Sequence, residues 1–430
     1  MNRLDLWQRF EYTDMNPGLA RISGFLREIG NPQETYPSVH IAGTNGKGST
    51  AAMIAAILEA SGYRTGLYTS PHLVALNERI KVNSRSISGG RLNALGRKYF
   101  ARAKKQALTF FEFITAITFE YFREEKVDIA VLETGLGGRF DATNVIIRPA
   151  AAVITDIGLD HTAILGKTIE LIAREKAGII KPACVVISGA EDKKARGIIR
   201  KHARRKGKGL LELNRDFLAN NASVDWEKRL QYFKYNDGSR TVGIKLPLMG
   251  AYQVKNAAVA VAASLALVDE GYKITPASIK KGIAAVRWPG RFDVKTLTYK
   301  GRRRTFILDG AHNPAAMRTF AGSFNKSIWA KTEYDLIFGV LKDKDYVKIA
   351  GIVSGLGKRM VTVPVSSLRT KDEGELADIL RKIRPDKQIS AAGSLKEALS
   401  MTGDTTVIVG SLYLVGEALK ILARKGEIND

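Results

Sequence analysis

The segment Val39-His40-Ile41-Ala42-Gly43-Thr44-Asn45-Gly46-Lys47-Gly48-Ser49-Thr50 constrains this chain more than any other, because an apolar, Ala-rich run over 51–60 follows it at once. A short hydrophobic strand enters a glycine turn and leaves it as a helix. Backbone N–H groups and the positive end of a helix dipole then converge on one point, which suits a phosphate. Gly43, Gly46 and Gly48 let the backbone approach an anion closely, Lys47 can reach the outer phosphates of a nucleotide, and Thr44, Asn45, Ser49 and Thr50 line the same turn. The strict nucleotide-loop pattern wants glycine where Ile41 stands and a hydroxyl where Gly48 stands. A turn that uses glycine for geometry alone is the plain alternative. A lysine with hydroxyl side chains on both sides of it in so short a span favours phosphate.

At 430 residues the chain exceeds one ordinary core. Its reading is α/β: a mostly parallel, phosphate-loop-containing sheet flanked by helices over residues 1–290, then a smaller Rossmann-like α/β domain over 291–430. Apolar positions Leu4, Trp7 and Phe10, then Leu19, Ile22, Phe25, Leu26 and Ile29, predict amphipathic helices ahead of the loop. Strands are predicted at 63–69, 127–132 and 151–155, helices at about 90–105 and 110–125. Short alternating strands follow over 209–250, with Asn236-Asp237-Gly238 as a hairpin turn, then a helix over 252–270. After the Pro289-Gly290 break come strands at 306–308, 336–338, 361–363 and 407–409. No run of eighteen apolar residues occurs and the start lacks a signal-peptide pattern, so no membrane partner is expected. Cys184 is the single cysteine, which points to a reducing cytoplasm. The net charge of +24 gathers in runs such as 193–208 and Arg302-Arg303-Arg304. Without interleaved aromatics or a nucleic-acid signature, these runs read as solvated faces rather than a nucleic-acid surface.

Strands with few polar interruptions, alternating with helices, build a parallel sheet covered on both faces, and ligands of such sheets lie beyond the strand carboxyl ends. Four such ends present Lys47, Ser70, Glu133 and His161 on one rim. Magnesium accompanying a triphosphate wants hard oxygens, which Glu133 and Ser70 supply, while His161 is a softer neighbour for a second ion. Taken singly, Glu133 reads better as a loop cap and His161 as a strand-end hydrogen-bonder. His72, His161 and His312 nevertheless all fall just past strands that end on this side.

The loop, together with Thr69-Ser70-Pro71-His72-Leu73, Glu133-Thr134-Gly135-Leu136-Gly137-Gly138-Arg139-Phe140-Asp141-Ala142-Thr143-Asn144 and Asp160-His161-Thr162-Ala163-Ile164-Leu165-Gly166, resembles the folylpolyglutamate synthase/dihydrofolate synthase family, a branch of the Mur ligases. The resemblance continues through the segment around Lys176, Tyr252-Gln253-Val254-Lys255-Asn256-Ala257, Pro289-Gly290-Arg291, Leu308-Asp309-Gly310-Ala311-His312-Asn313-Pro314 and Gly410-Ser411-Leu412-Tyr413, in order along nearly the whole chain. It implies that the loop binds ATP and that Ser70, Glu133 and His161 ligate Mg2+ at two sites. It also implies N6-carboxylation of Lys176, a residue that alone reads as a helix-surface lysine. Asn256, Arg291, Asp309 and His312 would contact the nucleotide, with Lys47, Lys176, Asp309 and His312 serving catalysis. Phe111, Glu112, Phe113, Arg139, Asp141 and Ser411 would contact substrate, although simple helix packing explains the Phe111 segment almost as well.

The implied reaction is ATP-dependent amide formation through an acyl phosphate, adding L-glutamate to dihydropteroate, to reduced folates, or to both, by a monomer. A Mur-type cell-wall ligase would need a further N-terminal domain, for which the roughly forty residues before Gly43 are too few. An ATP-hydrolysing regulatory or nucleic-acid protein would leave 133–144, the Lys176 segment and 309–314 without a task.

Overall fold

The computed structural model describes residues 5–8 and 18–425, so Leu4 and Phe10 of the first helical pattern lie outside it. Within helix Asp5–Gln8, Trp7 is buried and its indole N–H donates to Asn93 at 2.9 Å. The chain divides into two compact units: Met1–Ser223 with Tyr232–Leu246 and Val254–Val286, and Val224–Gln231 with Pro247–Gln253 and Arg287–Asp430. The second unit therefore takes in two short pieces that precede the expected division near residue 290.

The first unit is organised by an eight-stranded sheet: β1 Ser38–Ala42, β2 Thr65–Tyr68, β3 Ile80–Val82, β4 Arg85–Ser86, β5 Ile129–Glu133, β6 Ala151–Ile154, β7 Val185–Ser188 and β8 Gly209–Glu212, in the order β4-β3-β2-β5-β1-β6-β7-β8. Strands β2, β5, β1, β6, β7 and β8 run parallel, and the β3–β4 hairpin is antiparallel at one edge. Every residue of β1, β5 and β6 is buried, as a sheet covered on both faces requires. On the face that carries Leu132, His40 and Ala152, one cluster joins helices Ala20–Glu28, Gly89–Lys105 and Phe110–Glu124 through Ile22, Phe25, Leu95, Phe113 and Ile117. A second cluster on the same face joins Ile169–Ala177 and Lys193–Lys206 through Ile172, Ala173, Ala195 and Ile199. Thr109 starts Phe110–Glu124 with a reciprocal cap, its hydroxyl accepting from the Glu112 N–H at 3.2 Å while Glu112 accepts from the Thr109 N–H at 2.8 Å. Losing such a cap costs about 1 kcal/mol.

A three-stranded sheet follows, β9 Leu218–Asp225, β10 Leu230–Asn236 and β11 Thr241–Leu246, and Asn236-Asp237-Gly238 begins the β10–β11 turn as expected. Helix Ala251–Asp269 is long and apolar enough to cross a bilayer, yet 78% of that stretch is buried in the protein, so it reads as a core helix.

The second unit carries β12 Asp293–Tyr299, β13 Arg302–Asp309, β14 Asp335–Phe338, β15 Arg359–Thr362, β16 Gln388–Ala391 and β17 Thr405–Val409 in the order β12-β13-β17-β14-β15-β16, parallel except for β12. Phe292, Phe320, Phe324, Leu336 and Val407 centre its core. The Arg302–Arg304 run is not a solvated face throughout. Arg304 is buried between the Tyr299 and Phe306 rings, 5.4 and 5.0 Å from their centroids, and donates to the Leu399 carbonyl, Thr402 and Thr406. Strand alternation turns every second residue inward whatever its charge, and here the aromatic faces and oxygens receive a guanidinium.

Candidate active site

Strands β2, β5, β1 and β6 are consecutive and parallel, so their carboxyl ends share one edge of the sheet. From that edge leave Ser70, Glu133, the phosphate loop, and the segment running from Thr155 to His161. The loop is tied to that last segment. Thr44 donates its N–H to the Asp156 carbonyl at 2.7 Å and its hydroxyl to the Gly158 carbonyl at 3.0 Å, while the Thr155 hydroxyl donates to the Asn45 carbonyl at 2.8 Å. Gly46 caps helix Lys47–Ala60 at φ +87°, and a Cβ there would stand 2.4 Å from Asn256 Oδ1. Only glycine fits both demands.

Lys47 curls back over its own turn, its Nζ donating to the Gly43 and Thr44 carbonyls at 3.1 and 3.3 Å. Lys176, near the end of helix Ile169–Ala177, is buried, and its Nζ donates to the same Gly43 carbonyl at 2.7 Å. It is therefore a lysine at the loop, not at the helix surface. Burial first, then the Lys47 ammonium, push its pKa down to about 7, against the opposing pull of Asp160, Asp141 and Glu175.

Glu133 is buried at the end of β5, and its Oε2 accepts from the Ser70 N–H at 3.1 Å. A carboxylate and a hydroxyl residue side by side, next to a phosphate loop, are the hard donors that magnesium uses when phosphates and waters complete its shell. Among the described residues no three His, Cys, Asp or Glu side chains gather as an all-protein metal cage. His161 is exposed, in a left-handed conformation at φ +50°, with Nε2 3.9 Å from Asp160 Oδ1. His72 receives the Arg79 Nε–H on Nδ1 at 3.0 Å.

The expected substrate residues divide. Phe111 lies against Gly135, where a Cβ would come within 2.4 Å of its ring. Glu112 serves the Thr109 cap and pairs with Arg21 at 3.1 Å, and Phe113 is wholly buried, so these two hold the helix. Arg139 is exposed, its guanidinium over the Phe140 ring. Asp141 is buried and both its oxygens serve its own loop, accepting from the Leu136 and Thr143 N–H groups at 2.8 and 3.0 Å.

In the second unit β13 and β17 are parallel neighbours, so Asp309 and Ser411 leave one edge. Asp309 accepts from Ala311 N–H on Oδ1 at 2.8 Å, and from Phe292 N–H and the Tyr252 hydroxyl on Oδ2 at 2.8 and 2.7 Å. Burial raises its pKa, while Arg291 opposes that. His312 Nδ1 lies 2.8 Å from the Gly310 carbonyl, and Ser411 Oγ accepts from the Tyr413 N–H at 3.2 Å. Sequence reasoning gave no role to Tyr252, which anchors Asp309, or to Asp160, which bears on Lys176. Asp160 stood next to His161 in a singled-out motif, so proximity was the available signal.

Residues 41–264 match the Mur ligase middle domain. The chain is 36% identical over 413 residues to the folylpolyglutamate synthase of Lacticaseibacillus casei, covering 94% of each. It is 34% identical over 428 residues to the dihydrofolate synthase/folylpolyglutamate synthase of Bacillus subtilis, covering 95% of each. The solved structure of Mycobacterium tuberculosis folylpolyglutamate synthase complexed with ADP is similar at a TM-score of 0.89 and 30% identity, covering 98% of each chain. With the loop, the strand-end rim and these likenesses in place, the chain belongs to the folylpolyglutamate synthase/dihydrofolate synthase family of the Mur ligases.

Proposed function

We infer that this protein is an ATP-dependent amide ligase that joins L-glutamate to a pteroate-type acid, dihydropteroate, a reduced folate or both. The observation that carries the reading is the convergence of the phosphate loop, the Ser70–Glu133 pair and Lys176 on four consecutive parallel strand ends.

A carboxylate acylates poorly because its leaving group would be oxide. Its oxygen first attacks the γ-phosphorus of ATP and displaces ADP. The α-amine of glutamate then attacks the acyl carbon, phosphate leaves, and the amine nitrogen sheds a proton. Lys47 exchanges its loop carbonyls for phosphoryl oxygens and offsets the charge that builds during transfer. Bound Mg2+, held by Ser70 and Glu133 with His161 at a second site, would supply further charge neutralisation on the phosphates.

N6-carboxylation of Lys176 is part of the proposal. A pKa near 7 leaves much of the amine unprotonated at neutral pH, and only the free amine adds CO2. The product carbamate would replace a like-charged neighbour of Lys47 by an opposite one. In the second unit, Arg291, Asp309, His312 and Ser411 are proposed as its ligand-binding edge, with Asp309 holding the backbone beside Arg291 and His312. Asn256, beside Gly46, is proposed to contact the nucleotide, and Phe111 and Arg139 the pterin acid. A monomer in the cytoplasm, with residues 1–290 as the ATP-binding domain and 291–430 as a second α/β domain, is the setting proposed.

Purified protein with ATP, magnesium and glutamate, given dihydropteroate and tetrahydrofolate in separate reactions, tests the reading. ADP should form only when both glutamate and one pterin acid are present, and mass spectrometry should find the glutamylated product. ADP formation indifferent to both would overturn it.

A further inference from the structure

His40 sits in mid-β1 between Val39 and Ile41, fully buried. Leucine there would leave no polar atom unpaired. The imidazole does leave one: Nδ1 is buried without a hydrogen-bond partner among the described residues, a desolvation cost of about 1–3 kcal/mol. The ring's other nitrogen accounts for its presence. Nε2 lies 2.8 Å from Thr143 Oγ1, which lies 2.6 Å from Asp141 Oδ1.

Proton counting fixes the direction of this chain. Burial pushes the Asp141 carboxyl up, but the Leu136 and Thr143 N–H groups and the Thr143 hydroxyl all donate to it and favour the carboxylate. Thr143 has one proton and gives it to Asp141, so it accepts from His40. His40 is therefore the neutral Nε2–H tautomer with a bare Nδ1. The reverse chain would strand a buried N–H at Nδ1, the rarer kind of orphan.

Asp141 in turn anchors the turn over 135–140 through the Leu136 N–H. That turn presses on the end of helix Ile169–Ala177: the Arg139 N–H donates to the Glu175 carbonyl at 2.8 Å, and a Cβ on Gly138 would come within 2.7 Å of the same oxygen. The next residue is Lys176, whose Nζ meets the Gly43 carbonyl.

We propose that His40 is a positioning residue for Lys176: its Nε2–H orients Thr143 and Asp141, these fix the 135–140 turn, and the turn seats the Glu175–Lys176 backbone at the phosphate loop. What Lys176 does there rests on the ligase reading above, but the positioning chain does not.

The test uses the full-length protein. Imidazole nitrogen NMR, with His40 assigned by the signals lost in His40→Leu, should show a protonated Nε2 and a bare Nδ1 that stay unchanged from about pH 5 to 8. Hydrogen exchange of the Leu136 and Arg139 amides should speed up in His40→Leu and partly recover in His40→Gln, whose amide can still donate to Thr143, while helix Lys47–Ala60 is unaffected. With ligase activity present, kcat in His40→Leu should fall about 10- to 100-fold and KM for ATP should move less than about 3-fold, without a lower thermal midpoint. An Nδ1–H tautomer, unchanged exchange over 135–140, or wild-type kcat in His40→Leu would overturn the proposal. Absence of glutamate-dependent turnover in the wild type would instead count against the ligase reading, leaving tautomer and exchange to decide the role of His40.

Discussion

The two units each bury an ionisable group where a sheet stops, and they treat it in opposite ways. In the first the group is a cation, Lys176, whose Nζ shares the Gly43 carbonyl with a second cation, Lys47. In the second it is an anion, Asp309, served by the Tyr252 hydroxyl and two backbone N–H groups. Two lysine nitrogens on one peptide oxygen repel each other whenever both are protonated, whereas three donors on one carboxylate do not. Beside Lys47 and Lys176 a further anion is therefore favoured, whereas the edge around Asp309 is already complete in its hydrogen bonds.

Lys47→Ala sharpens this contrast most. Glutamate-dependent ADP formation should fall about 10³-fold or more, while thermal stability holds because Lys176 loses a like-charged neighbour. Turnover within about tenfold of wild type would break the contrast.

The pH dependence of stability comes next. Lys176 titrates near 7 in the folded chain against 10.5 for the ordinary side chain. Between those values the unfolded state carries a proton that the folded state lacks, so stability rises with pH across the window, by about 1.4 kcal/mol per unit. Below the folded value the full cost of the buried charge is present. Denaturant titrations in bicarbonate-free buffer should show a steeper rise in wild type than in Lys176→Met; parallel curves for the two proteins would remove Lys176 from the argument.

On the completed edge smaller losses are expected. Tyr252→Phe deletes one donor to Asp309 and should cost about 1–2 kcal/mol of unfolding free energy. No change would mean that Asp309 is less fully served than its distances suggest. Ser411→Ala removes an acceptor at the start of helix Leu412–Lys425 and should cost about 0.5–1 kcal/mol in the same measurement.

The glycine turn after β1, strands β2, β5 and β6 and the shared edge of their carboxyl ends were readable because each rests on local pattern: uninterrupted apolar runs, punctuating glycines, and polar residues just past strand ends; the buried β7 was missed. β12 and β16 were not. Gln388–Ala391 has the short, half-polar composition of an edge strand, and the β12–β13 hairpin turns at Lys300-Gly301 beside an arginine run that looks solvent-borne. Lys176 looked like a surface lysine because helical periodicity cannot show that a loop 133 positions away in sequence covers it. Asp141 was placed against substrate by the family resemblance, and only coordinates reveal that its own backbone consumes it. His40 escaped notice for the opposite reason: flanked by Val39 and Ile41, it passes for a core residue.

The shared Gly43 carbonyl carries a further implication for the unmodified amine. On the proposed transfer of Lys47 to phosphate, the field that suppresses the basicity of Lys176 weakens, and that side chain would take up a proton. Nucleotide capture and proton capture are then one linked equilibrium, so a weakly buffered solution turns slightly more alkaline as the polyphosphate binds.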